Sequence, residues 1–127
     1  MTKRLGWGSE RGAAAVEFAL ILPILIVILF GVIEFGGVFN AQLMVTGAAR
    51  EAARTMALDG VVADAQAVAA DAAVGIAPAD LDVSVSPAAC AAGTDITVRV
   101  VYDRPFLTGL FGATVELTGV ATRRCQG

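Results

Sequence analysis

Phe18 to Ile33 is a run of sixteen residues without a charge, and no other feature limits this 127-residue chain as tightly. Extending it to Phe39 and tolerating Glu34 gives 22 residues. A helix needs about 20 residues, at about 1.5 Å each, to cross a hydrocarbon core of about 30 Å. The run is therefore long enough to span a membrane, with its ends near Glu17 and Asn40. Lys3, Arg4 and Arg11 against Glu10 make the first twelve residues +2, which leaves −5 for the rest of a chain whose net charge is −3. A basic flank before an apolar run predicts a cytoplasmic N-terminus and a translocated remainder.

Three readings of the run compete. A cleaved secretory signal has an apolar core of about 7–15 residues followed by a small-x-small cut site, and "GVFNAQLM" offers no such site. A plain uncleaved anchor explains length and charge, but not Glu17, a carboxylate that costs roughly 2.5–3.5 kcal/mol deep in lipid and less at the interface. The third reading gives Glu17 a function. Against it stands a carboxylate that simply sits in the first helical turn, favoured by the helix dipole.

The stretch Gly12-Ala13-Ala14-Ala15-Val16-Glu17-Phe18 resembles the cleavage site of type IV pilin-like precursors. More narrowly, "RGAAAVEFALILPILI" and "GAAREAARTMAL" resemble the TadE-like proteins of Tad (Flp-type) pilus systems. The resemblance implies a minor pilin or pseudopilin acting in pilus assembly. A prepilin peptidase would cut between Gly12 and Ala13 on the cytoplasmic side. Glu17 and Phe18 would then set axial register, with Glu17 pairing to the new α-amine of Ala13 on a neighbouring subunit. Other pilin-like subunits and a membrane assembly platform are the implied partners. The rival class is an uncleaved, membrane-anchored extracytoplasmic binding module of an envelope complex. A third possibility is an exported protein released from the membrane.

Several residues beyond the cut site are candidates for partner contacts. Glu34 lies about one turn from the outer end of the span and is expected to reach water by snorkelling, with a partner helix as the alternative. Arg50 and Arg54 are four apart and share a helix face, as a solvated face or a docking one. Pro23 should bend the helix, and Gly31, Gly36 and Gly37 thin one side for close packing.

The fold expected is α+β. One helix of about 46 residues from Ala13 to Leu58, roughly 70 Å long, leaves the membrane and continues outside. Asp59-Gly60 stops it. A second helix covers Val61–Ile76, with Val61, Ala65, Val68, Ala72 and Ile76 on one side. From Leu81 the period changes to two. Three half-buried strands of a small antiparallel sheet follow, over Leu81–Ser86, Ile96–Tyr102 and Ala113–Thr118, with Cys125 closing the third. The expected divisions are a cytoplasmic leader (1–12), a transmembrane helix (13–39), its extracytoplasmic continuation (40–58) and a small α/β head (59–127). Phe106, Leu107, Leu110 and Phe111 lie in a Pro- and Gly-broken loop. That loop is expected to close over the sheet core, with another subunit or the membrane surface as alternatives.

Cys90 and Cys125, an even pair in a translocated head, suggest a disulfide. The absence of His removes the commonest general base and metal ligand. No phosphate loop, activated nucleophile or metal-ligand cluster stands out, so neither an enzyme nor a cofactor is expected. Without a basic patch, nucleic acid is not an expected partner.

Overall fold

The computed structural model describes residues 7–126, with side chains from Glu10 onward. Residues 1–6 of the expected leader, Lys3 and Arg4 among them, lie outside the described residues. The fold is α+β. Helix α1 (Trp7–Asp59) is followed by α2 (Val62–Ala72), a 3-10 turn (Pro78–Asp80), and strands β1 (Leu81–Ser86), β2 (Asp95–Pro105) and β3 (Thr114–Arg124). The chain divides into two units, Met1–Phe35 and Gly36–Gly127.

In the first unit the described structure is α1 alone. The helix passes through Pro23 unbroken. Val16, Phe18, Leu20 and the apolar residues that follow are exposed, as a segment solvated by lipid rather than by protein would be.

The second unit builds its own core. β1, β2 and β3 form an antiparallel sheet in that order. The alternation along β2 turns Ile96, Val98 and Val100 inward, and Leu117 and Gly119 of β3 share that face. From α1 the buried set is Ala41, Val45, Ala48, Ala49, Ala52, Ala53, Met56 and Ala57, recurring at steps of three and four, which is one stripe of an α-helix. α2 contributes Ala65 and Ala69, and Ala73 just after it is buried as well. Because most helix residues at this interface are alanine, backbones rather than long side chains meet the sheet.

Both ends of the unit's elements are fixed by local chemistry. Gly60, at φ 69°, takes the left-handed conformation that ends α1, and its N–H donates to the Met56 carbonyl at 3.0 Å. Cys90 and Cys125 form a disulfide with Cα atoms 5.6 Å apart. Around it, Cys125 N–H donates to Thr94 O at 2.8 Å, and Gln126 N–H donates to Ala57 O at 3.2 Å. The end of β3 is thereby joined to the β1–β2 connection and to the last turn of α1.

Four details depart from the sequence reading. α1 starts earlier than Ala13, since Trp7–Gly12 is also helical. α2 stops at Ala72 rather than Ile76; Ala65, Ala72 and Ile76 of the expected stripe do pack on the core, and Ala69 with the capping Ala73 joins them there. The alternation read over Ala113–Thr118 runs on through Gly119, an inward residue, to Arg124 just before Cys125. The 106–112 loop does not close the core: Leu107 is 74% exposed, Leu110 60% and Phe111 46%.

Candidate functional site

Gly12 and Ala13 lie within the first turns of α1, and both are exposed. A Cβ built on Gly12 would meet nothing within 4 Å, so the side-chain position there is unobstructed. Glu17 follows a little more than one turn after Ala13 and is also exposed. Phe18 beside it is 62% exposed. Gly12, Ala13, Glu17 and Phe18 thus occupy two consecutive turns of one accessible helix, directly before the uncharged run.

Glu34 behaves differently. It is 1% exposed, the single buried charged residue among the described residues, so the expectation of a water-facing carboxylate does not hold. A buried carboxylate is strongly destabilising unless it is satisfied.

Farther along, Arg50 and Arg54 are both exposed on α1. Arg54 lines an open hollow of about 550 Å³ together with Ala57, Leu58, Arg123, Arg124 and Gln126. Arg124 also approaches Asp95, Nε to Oδ1, at 3.7 Å, but both side chains are largely solvated, so the pair adds little. Arg123 and Arg124 were not singled out in the sequence. The alternation of β3, extended through Gly119, would have placed Arg123 on the helix-facing side.

Two glycines carry the joint between α1 and the sheet. A Cβ on Gly119 would meet the Val45 carbonyl carbon at 2.7 Å and Thr46 Cα at 2.9 Å. On Gly37 it would collide with the guanidinium of Arg104. Gln42 adds a polar tie, with Nε2 donating to Thr118 O at 3.0 Å. Among the described residues no group of His, Cys, Asp or Glu could hold a metal ion.

The family model described as TadE-like protein matches residues 12–54. Residues 12–54 are a TadE-like segment. The match covers about a third of the chain. No curated protein and no solved structure matches the chain. The TadE-like segment opens on Gly12 and closes on Arg54, so it takes in Ala13, Glu17, Phe18, Glu34 and Arg50 as well. It ends before the disulfide and the sheet. The segment lies within Glu10–Asp59, the one helix among the described residues that is long and apolar enough to cross a membrane.

Proposed function

We propose that the chain is a minor pilin or pseudopilin of a Tad-type pilus, processed between Gly12 and Ala13 and acting in pilus assembly. The observation that carries this reading is where the TadE-like match begins: at Gly12, immediately before the exposed helix that bears Glu17. The chemistry is consistent. Hydrolysis of the Gly12–Ala13 bond leaves an α-ammonium on Ala13, protonated at neutral pH. When apolar helices gather into a bundle, Glu17 needs an opposite charge, and the amine of a neighbouring copy or pilin-like subunit supplies it. That pair would fix the axial offset between helices.

The scissile bond sits in helical conformation, and a peptidase must first open it. Glycine lowers the cost, since it is about 0.5–1 kcal/mol worse than alanine within a helix. The peptidase would act at the inner face of the membrane, with Lys3, Arg4 and Arg11 holding the N-terminus in the cytoplasm. The Gly36–Gly127 unit would lie outside, where its disulfide persists. Work in this assembly is mechanical: lipid holds the subunit by α1 until the helix passes into the bundle.

Deleting the prepilin peptidase from the producing cell tests the reading. The full-length chain should then accumulate twelve residues longer than in the parent strain. An identical length in both strains would favour the uncleaved anchor, whose head displays a binding surface from a permanent membrane helix.

A further inference from the structure

We propose that the tip of the β2–β3 hairpin, residues 106–112, inserts into the outer surface of the lipid bilayer and sets the head's standing height on the membrane. The inference rests on the reading of α1 as a membrane span and goes beyond it.

Three observations within the Gly36–Gly127 unit carry it. The first is exposure. Leu107, Leu110 and Phe111 stand in solvent on a loop whose own ring pair, Phe106 and Phe111, has centroids 6.3 Å apart. Gly109 and Gly112, both at positive φ, make the turns that hold them there. An apolar tip of this kind on a small unit marks an interaction site.

The second observation is position. The sheet runs along α1, with Arg104 against Gly37, Gly119 against Val45, and Gln126 bonded to Ala57. From Gly119 back to Thr114, the first residue of β3, the strand covers about 16 Å. From Val45 back to Gly37 the helix covers only about 12 Å. The hairpin therefore overshoots the first helical turn of the unit. Its tip lies at the end of this unit where α1 enters it at Gly36, and on the reading of α1 as a span lipid is the surface proposed for that end.

The third observation is charge. Pro105 to Val115 is uncharged. Just below it, Asp103 and Glu116 face each other across the β2–β3 ladder, both exposed. Two carboxylates at that level resist desolvation and set a waterline, which limits insertion to the interfacial depth of about 5–10 Å.

The test uses the full chain in lipid vesicles, with Trp7→Phe removing its one tryptophan. Three single-tryptophan variants are compared: Leu107→Trp at the tip, Leu58→Trp at the opposite pole, and Ile26→Trp within the span. Vesicles with brominated acyl chains report lipid contact, and acrylamide reports water contact. The expected result is several-fold stronger bromolipid quenching of Leu107→Trp than of Leu58→Trp, with matching protection from acrylamide. If Ile26→Trp is quenched by lipid while Leu107→Trp behaves like Leu58→Trp, the tip stays in water and the inference is overturned alone. A tip shielded from both quenchers is covered by protein, which also overturns it. If Ile26→Trp escapes lipid quenching, the membrane-span reading itself fails.

Discussion

Gly119 of β3 lies directly on the backbone of Val45 in α1, so near that a methyl group in place of its hydrogen would sit 2.7 Å from the Val45 carbonyl carbon. The head is built around this approach. Alanines on both helices let the sheet settle onto helix backbone, and the one sheet residue that must have no side chain has none. Gln42 reinforces the joint one turn away through the Thr118 carbonyl.

Gly119→Ala should therefore destabilise the head by about 1–3 kcal/mol, the usual cost of overpacking where the opposing atoms are backbone. Circular dichroism melts of the full chain in detergent should show Tm lowered by several degrees. An unchanged Tm would mean that helix and sheet are not in this contact.

Gly37→Ala makes the contrasting case. The atoms that a methyl group would meet belong to the flexible end of Arg104. The guanidinium can move, and alanine improves helix propensity by about 0.5–1 kcal/mol. Stability should stay within about 1 kcal/mol of the parent chain, well above that of Gly119→Ala. Equal losses at the two glycines would contradict the distinction.

The disulfide joins residues 35 apart in sequence. On the chain-entropy model a loop of that size contributes about 3–4 kcal/mol. Cys90→Ser with Cys125→Ser should lower the denaturant midpoint of the head accordingly and leave the apolar helix intact. A midpoint that does not move would show that the hydrogen bonds from Cys125 and Gln126 hold the end of β3 unaided.

Glu17→Ala separates processing from assembly. Cleavage should largely survive, because Gly12 and Ala13 are untouched, whereas incorporation into pili should fail for want of a partner to the Ala13 amine. Immunoblots of cell and sheared-pilus fractions read both. Normal incorporation of the variant would remove the pairing idea.

Much of this architecture was legible in the residues. An uncharged run of that length has few fates, and alternation such as Ile96, Val98, Val100 has one. The cysteine pairing followed from an even count in the part expected to be translocated. What was not legible shares a cause: it depends on which surface another element covers. Alanine gives little contrast between faces, so Ala69 and Ala73 were left off the buried side that Ala65, Ala72 and Ile76 share. Nothing in the sequence marks Gly119 as the residue on which a helix backbone rests. Glu34 is buried where a water-facing carboxylate was expected. The 106–112 loop has the composition of a core plug, and only its exposure at the hairpin tip shows otherwise. Within the candidate site, Gly12, Ala13 and Glu17 came from resemblance to a known pattern, not from any geometry that periodicity could supply.

The central claim is that one peptide bond is cut and that the new terminus matters. Intact-mass and N-terminal peptide measurement of the protein taken from cells making pili addresses it directly. The account predicts a chain beginning at Ala13. A chain that still begins at Met1 or Thr2 in normally piliated cells would contradict it.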